Sequence, residues 1–110
     1  MAKATSIEEI FNNIDEGFNP DKAEGVDAIF QFNLTGDNGG QYWIQVKNKE
    51  AVVHQGEHDA PTMTVTSTAD DYIALANGDL NAMTAFMQGK IKVKGDMGLA
   101  MKLQSMFGMG

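Results

Sequence analysis

The spacing of apolar residues alternates between a helical period and a strand period along the chain. Ser6 and Glu9 have the spacing at which a hydroxyl and a carboxylate cap the first turn of a helix. Apolar residues then recur on one helical face, as in an amphipathic helix: Ile7, Ile10, Phe11 and Ile14. The pattern predicts a helix over 6–17, ended by Gly17, and a turn-rich connector over 19–25.

Strict alternation of apolar and polar residues then predicts four strands in succession. In the first of them, every second residue from Val26 to Leu34 is apolar. The glycine-rich run 36–40 should supply the positive φ angles of a hairpin turn, and residues 48–49 should turn the chain again. The predicted strands are 26–35, 42–47, 50–54 and 62–66.

Helical spacing returns in the last third of the chain, interrupted once by a short strand. Thr68 has the position of an N-cap, and the acids that follow it suit the positive end of a helix dipole. Lysines alternate with Ile91 and Val93, an arrangement that protects edge strands from aggregation. We predict helices over 68–76, 79–88 and 97–107 and a strand over 90–94.

The order of these elements predicts an α+β fold: a five-stranded, mostly antiparallel sheet with about four helices on one face. No linker or repeat divides residues 1–110, so we expect one domain. The opposite face of the sheet should face solvent, because its residues are polar: Gln31, Asn33, Gln45, Lys47, Thr62, Thr64 and Thr66. Ile29 and Trp43 are exceptions on that face and are either covered by a loop or part of a contact surface.

Composition narrows the possible functions. The net charge is −7, from fifteen acidic and eight basic residues, which argues against nucleic-acid binding. Cysteine is absent, which removes disulfides and thiol chemistry and suits a reducing compartment. No secretory leader and no apolar run of about eighteen residues is present. We therefore expect a cytoplasmic protein.

Residues with catalytic or metal-binding chemistry are few. His54 and His58 are four apart, but Gly56 lies in a turn between them, so we expect structural or solvated roles rather than a metal pair. Asp70 and Asp71 suit a helix N-terminus better than a catalytic carboxylate pair. We expect no cofactor and no metal. A small hydrolase or isomerase is the least supported hypothesis, since no nucleophile and base can be paired.

Methionine is over-represented near the C-terminus. Of the eight methionines, six follow residue 82: Met83, Met87, Met97, Met101, Met106 and Met109. Methionine is flexible and adapts to irregular apolar shapes, and a well-specified core uses it sparingly. The predicted last helix is apolar on more than one face. It is therefore a fully buried core helix, a binding site for a protein partner, or a cover over an apolar ligand.

The segment 86–104, FMQGKIKVKGDMGLAMKLQ, resembles the C-terminal signature of the sterol carrier protein type-two domain family. Upstream, the strand 64–66 and the helix 71–75 are similar to the family's corresponding strand and helix. The resemblance extends over about residues 7–107. The peroxisomal tail that is common in eukaryotic members is absent, which fits a bacterial-type cytosolic protein.

This resemblance implies an apolar tunnel between the sheet and the helices. Members bind fatty acids, fatty acyl-CoA, sterols or phospholipids, so we expect a non-catalytic carrier of such lipid-like ligands. We expect the following tunnel wall: Phe30, Phe32, Ile73, Leu80, Met83, Phe86 and Met87. We expect these residues to form a closing helix: Met97, Leu99, Met101, Leu103, Met106 and Phe107. Each can equally be plain core.

Two kinds of macromolecular contact stay open beside the lipid hypothesis. The main alternative is a protein-interaction module that docks through an exposed, Met-rich C-terminal helix. A transient contact with a membrane or an enzyme is also compatible with a carrier. The overall negative charge opposes binding to anionic bilayers, except locally at Lys90, Lys92 and Lys94. The oligomeric state is not specified by the sequence.

Overall fold

The computed structural model describes residues 4–107, without the side chains of residues 15 and 104. The strands are β1 (Ala28–Thr35), β2 (Gly40–Lys47), β3 (Glu50–Gln55), β4 (Met63–Thr68) and β5 (Ile91–Gly95). The helices are α1 (Ile7–Asn12), α2 (Ile14–Gly17), α3 (Ala69–Ala76), α4 (Ala82–Met87) and α5 (Met97–Phe107). A 3-10 turn lies at Pro20–Ala23. The predicted α+β architecture is confirmed, and Met109 lies outside the described residues.

The strands form one sheet in the order β3-β2-β1-β4-β5. Three of the four pairings are antiparallel, whereas β1 and β4 are parallel, with Phe30 opposite Met63. The sheet is therefore mixed rather than simply antiparallel. The two hairpins occupy one side of β1, so the chain must cross the sheet to reach its other side. Alternation of apolar residues sets the face of each strand but not its neighbour.

Polar side chains cap the helices close to the predicted positions. The Ser6 hydroxyl accepts a hydrogen bond from the Glu9 backbone N–H at 3.2 Å, and Thr68 does the same for Asp71 at 3.1 Å. The Glu9 carboxylate accepts from the Thr5 N–H at 3.3 Å, one residue before the predicted capping box. The first predicted helix is present as two short helices, because the turn at residue 13 separates α1 from α2.

Aromatic rings fill the core beneath α1 and α3. Phe11 stacks on Tyr42 with ring centroids 4.3 Å apart and on Tyr72 at 5.8 Å. Phe32 meets the edges of Phe11 at 5.3 Å and Tyr72 at 5.7 Å. These four residues form the aromatic cluster, and all are buried. Stacked and edge-on rings gain electrostatic energy in addition to the area they bury, so this part of the core is well specified.

A loop over residues 56–62 covers part of the outer face of the sheet. Gln31 is only 1% exposed, so the prediction that it faces solvent is wrong. Its amide donates to the carbonyl oxygens of Tyr42 and Gly56 at 3.3 and 3.1 Å and accepts from the His58 N–H at 2.8 Å. Because these partners replace water, the amide can be buried without leaving polar atoms unsatisfied.

The same loop packs against Trp43. His54 stacks on the Trp43 ring at 4.1 Å, and His58 meets it edge-on at 4.7 Å. Both histidines therefore lie on one side of the sheet, contrary to the expectation that the intervening turn separates them. Ile29 is tied to the loop through Thr62, whose backbone N–H donates to the Ile29 carbonyl at 2.8 Å. The loop-cover alternative thus describes both exceptions on the outer face.

Candidate functional site

An apolar cavity of about 220 Å³ lies between the β4–β5 side of the sheet and helices α4 and α5. The sheet and α3 contribute Phe32, Met63, Val65, Ile91, Val93, Tyr72 and Leu75. The α4 and α5 helices contribute Ala82, Met83, Phe86, Met97, Ala100, Met101 and Leu103. Every lining residue is apolar or aromatic, and the Tyr72 phenol is the one polar side-chain group among them. Such a lining can solvate a hydrocarbon chain.

Helix α4 is a short element with two different sides. The Asn81 side chain accepts from the Thr84 N–H at 3.1 Å, so the helix begins later than the predicted residue 79. Ala85 is fully buried, whereas Met83 and Phe86 line the cavity and are 65% and 41% exposed. The helix therefore rests on the sheet through a small residue and covers the cavity with large ones.

Helix α5 is fixed at its C-terminal half and open at its N-terminal half. Met106 and Phe107 are buried, and Phe107 packs on Phe18 with ring centroids 5.2 Å apart. Met97 and Met101, one turn apart on the same helical face, line the cavity and are 47% and 70% exposed. The apolar excess of this helix is thus divided between ordinary core and the wall of the cavity.

A tight turn delivers the chain from β5 into α5. Gly95 has φ +114°, and a Cβ at this position would approach the Thr62 carbonyl oxygen to 2.7 Å. The Asp96 carboxylate accepts from the Gly98 N–H at 2.8 Å and caps the first turn, as predicted. A glycine followed by a capping acid therefore sets the angle between the edge strand and the helix that together enclose the cavity.

The structure brings together some of the predicted ligand-binding residues and not others. Six line the cavity: Phe32, Met83, Phe86, Met97, Met101 and Leu103. Six others belong to the core or pack against it without lining the cavity: Phe30, Ile73, Leu80, Leu99, Met106 and Phe107. Met87 is 79% exposed and also lies outside the lining. The roles of all thirteen in ligand binding stay predictions.

Several residues of the cavity wall were not among those predicted. They are Met63, Val65, Tyr72, Leu75, Ala82, Ile91, Val93 and Ala100. The alternation pattern already placed Met63, Val65, Ile91 and Val93 on the inward face of their strands. The missing information was that β4 and β5 are neighbours, paired with Val65 opposite Val93. The two alanines carry no pattern of their own, because their contribution is the space they leave.

The electrostatics of the cavity offer nothing to activate a reacting group. Burial raises the pKa of the Tyr72 phenol, so this group is neutral at physiological pH. No described carboxylate, histidine or lysine lines the cavity. Among residues 4–107, no group of three acidic, histidine or cysteine side chains is arranged to hold a metal ion. The cavity is suited to holding an apolar molecule rather than to polarising one.

A second depression lies beside α1 and the edge strand β3. Its volume is about 600 Å³, larger than that of the apolar cavity. Its wall, however, mixes apolar side chains with the carboxylate of Glu8 and the amides of Asn12 and Gln55. An apolar ligand there would strip water from these groups without replacing their hydrogen bonds, which costs free energy. We therefore assign the candidate site to the smaller cavity.

Comparisons with known proteins agree with this geometry. The solution structure of the sterol carrier protein domain 2 of Helicoverpa armigera superposes with a TM-score of 0.70 at 34% identity, covering 90% of this chain and 80% of that one. The palmitated SCP2L2 of Aedes aegypti gives 0.70 at 32% identity, covering 90% and 87%.

Longer proteins contain a related segment. The bovine (Bos taurus) hydroxysteroid dehydrogenase-like protein 2 is 32% identical over 106 residues, which are 96% of this chain but 25% of that protein. The chain thus spans about a quarter of the length of the curated relatives that it matches. The sequence profile of the SCP-2 sterol transfer family matches residues 7–108. With a family match across nearly its whole length and the fold of sterol carrier domains, the chain belongs to the SCP-2 sterol transfer family.

Proposed function

We propose that this protein binds lipid-like ligands in the apolar cavity and transfers them without chemical change. Fatty acids, fatty acyl-CoA, sterols and phospholipids are the candidate ligands. The observation that carries the proposal is the wholly apolar and aromatic lining between β4–β5 and the two methionine-bearing helices. Each buried CH₂ group of a ligand contributes about 0.8 kcal/mol, so a long chain can bind without specific polar contacts.

The size of the cavity supports a wall that adapts to its contents. At about 220 Å³ it is smaller than typical ligand sites, which have about 300–1,000 Å³. Met83, Met97 and Met101 are half-exposed or more, so their side chains can move outward without losing many core contacts. Ligand entry is then a rearrangement of this wall and needs no unfolding of the core.

The closing element follows from how the helices are anchored. The C-terminal half of α5 is held by its buried residues and by the Asn19 N–H, which donates to the Met106 carbonyl at 2.7 Å. The first turns of α5 and the whole of α4 lack such anchors among the described contacts. We therefore assign closure of the tunnel to α4 together with the start of α5, and a hinge role to neither Met106 nor Phe107.

The carrier role also defines what is not carried over from relatives. The dehydrogenase-like proteins contain a segment similar to this chain in about a quarter of their length. The lining here holds no nucleophile and no general base, so we propose no enzymatic activity. A cytoplasmic location is proposed on the absence of cysteine. Among the described residues, no helix has both the length and the apolarity to cross a membrane.

A protein-docking role is the second candidate, favoured by the exposure of Met97 and Met101. Met106 cannot take part in such a contact because it is fully buried. The two functions differ in what survives when the cavity is filled. Docking of a partner on the exposed methionines needs no cavity, whereas lipid binding does.

The test is lipid content and lipid-dependent stability. Denaturing extraction of the purified protein, followed by mass spectrometry, should release fatty acids or phospholipid. Adding a long-chain fatty acid to delipidated protein should raise the unfolding free energy by about 2.7 kcal/mol at 100 times the Kd. A protein that carries no lipid and gains no stability from any long-chain lipid would overturn the proposal.

A matched pair of variants locates the binding. Ala100→Phe places a ring in the cavity and should abolish the gain in stability with fatty acid. Thr84→Phe adds the same ring at an exposed position of α4 outside the lining and should keep it. Equal loss in both variants would assign binding elsewhere.

A further inference from the structure

Exposed apolar side chains are concentrated at one place on the surface. Six large apolar residues are exposed in the described part of the chain, and five of them lie on α4 and α5. We name these five the rim: Met83, Phe86, Met87, Met97 and Met101. Four of the five also line the cavity. The rim therefore surrounds the cavity, and a contiguous apolar patch of this kind marks an interaction surface.

Charge is divided between this part of the chain and the rest. Residues 80–110 contain four lysines and one aspartate, a net charge of +3. Residues 1–79 contain four lysines and fourteen acids, a net charge of −10. The overall −7 thus conceals a basic C-terminal segment that includes both rim helices. A charge distribution of this kind orients the protein in an external field.

Three of the four lysines belong to β5 or the turn before it. Ile91 and Val93 point into the cavity, whereas Lys92 and Lys94 alternate with them and are exposed, opposite Thr66 and Thr64 of β4. β5 is an edge strand, so no further strand covers its outer side. The cavity wall and the lysines are consecutive positions of one strand, which places positive charge directly beside the apolar opening.

We propose that the rim and the lysines of 90–94 form a docking surface for an anionic lipid bilayer. The lysines pair with headgroups, while the methionines and Phe86 enter the boundary between headgroups and acyl chains. The acidic remainder of the protein is repelled, so the cavity faces the membrane. This inference rests on the proposed lipid binding, because a ligand can then pass between bilayer and cavity without crossing water.

A bilayer fits these features better than an acidic protein partner does. The rim residues are flexible side chains around an opening, a feature that a soluble partner does not need but that lipid exchange requires. Each lysine near an anionic surface contributes about a fivefold gain in affinity. Together the three lysines are expected to contribute on the order of 100-fold.

The test is co-sedimentation of the full chain with lipid vesicles. The wild type should bind vesicles of phosphatidylcholine mixed with phosphatidylglycerol much more tightly than vesicles of phosphatidylcholine alone. The variant Lys90→Glu/Lys92→Glu/Lys94→Glu should lose binding by about 100-fold or more. The matched control Lys22→Glu/Lys47→Glu/Lys49→Glu changes the net charge equally at exposed lysines elsewhere and should keep most of it.

Depth of insertion separates a membrane from a charged surface in general. Trp43 is the only tryptophan and lies on the outer face of β2. In a Trp43→Phe background, Met87→Trp should give fluorescence that brominated phosphatidylcholine quenches in mixed vesicles. Val52→Trp, at an exposed position of β3, should not be quenched. Binding without quenching of the tryptophan at position 87 would point to a protein or polyanion site and overturn the bilayer proposal.

Two further outcomes are distinguishable. Equal loss of binding in the two triple variants would also overturn the docking surface, since net charge and not its position would then govern binding. Mass spectrometry of the same variants reports lipid content independently. A lysine variant that still carries lipid while ignoring vesicles supports the inference. A wild type that ignores mixed vesicles yet carries lipid refutes the inference alone, and an empty wild type refutes the carrier function.

Discussion

The two sides of this sheet use the same alternation of apolar residues but reach opposite kinds of packing. Over β1 and β2, Phe11 and its neighbours form stacked and edge-on ring pairs with centroids 4.3–5.8 Å apart. Over β4 and β5, the helices present methionines and alanines, and a cavity of about 220 Å³ is left. A repeating apolar pattern therefore specifies which face is buried, but the side-chain types decide whether that face is filled.

The difference follows from the conformational freedom of the side chains. An aromatic ring has two torsions and a preferred geometry against other rings, so the aromatic cluster has one favoured arrangement. A methionine has three rotatable bonds and a polarisable sulfur, so it fills several shapes at similar free energy. Stability should thus depend on the aromatic cluster, and ligand adaptation on the methionines of the rim.

Tyr72 lies at the border between the two sides. Its ring stacks with Phe11 in the aromatic cluster and also lines the cavity. It is carried by α3, which is capped by Thr68 immediately after β4. A fixed ring at this position isolates the filled core from the adaptable wall, so the cavity can change shape without loosening the core.

The largest contrast is expected from truncating one residue on each side. Phe11→Ala removes a ring that is 2% exposed, and should lower the free energy of unfolding by about 3–5 kcal/mol. Met101→Ala, at 70% exposure, should change it by no more than about 0.5 kcal/mol. Urea unfolding followed by circular dichroism measures both values.

Ligand binding should show the reverse order. Met101→Ala is expected to weaken fatty-acid binding, while the folded fraction of Phe11→Ala binds normally. Phe11→Leu keeps most of the volume and serves as the milder variant if Phe11→Ala does not fold. The contrast between the two sides is refuted if both truncations lower stability equally.

A valine-to-threonine pair tests the same contrast with a smaller change. Val46 is fully buried on β2, so Val46→Thr should cost about 1–3 kcal/mol for an unsatisfied hydroxyl. Val93 lines the cavity on β5 and is only half-buried. Val93→Thr should cost less than about 1 kcal/mol of stability. It should nevertheless weaken lipid binding several-fold, as isothermal titration would show; unchanged binding would place the ligand elsewhere.

The sequence predicted the fold well because its main signals are local. Ser6, Thr68 and Asp96 cap helices as expected, and the alternating runs form five strands. Long-range relations were less accessible. The crossover that makes β4 parallel to β1 and buries Gln31 depends on a loop whose path no short pattern encodes.

The cavity wall was predicted in part for the same reason. An excess of methionine indicated where packing would be irregular, and four rim residues that line the cavity were among the predictions: Met83, Phe86, Met97 and Met101. The inward residues of β4 and β5 were missed, because their role depends on strand pairing. Met106 and Phe107 follow the same helical pattern as Met97, yet they pack in the core. Only the tertiary contacts of α5 distinguish its two halves.

The smallest expected effect on stability concerns the rim itself. Met83→Leu/Met97→Leu/Met101→Leu keeps the volume and apolar character of three exposed wall residues, so each change should cost less than about 1.5 kcal/mol. Leucine, however, has fewer torsions and a branched end. The wall should then accept a narrower range of shapes, and the ratio of affinities for a straight fatty acid and a bulky sterol should shift several-fold. Competitive displacement of a fluorescent fatty acid measures this ratio. If it stays constant while Val93→Thr weakens both ligands, the cavity binds lipid but methionine flexibility does not determine its breadth.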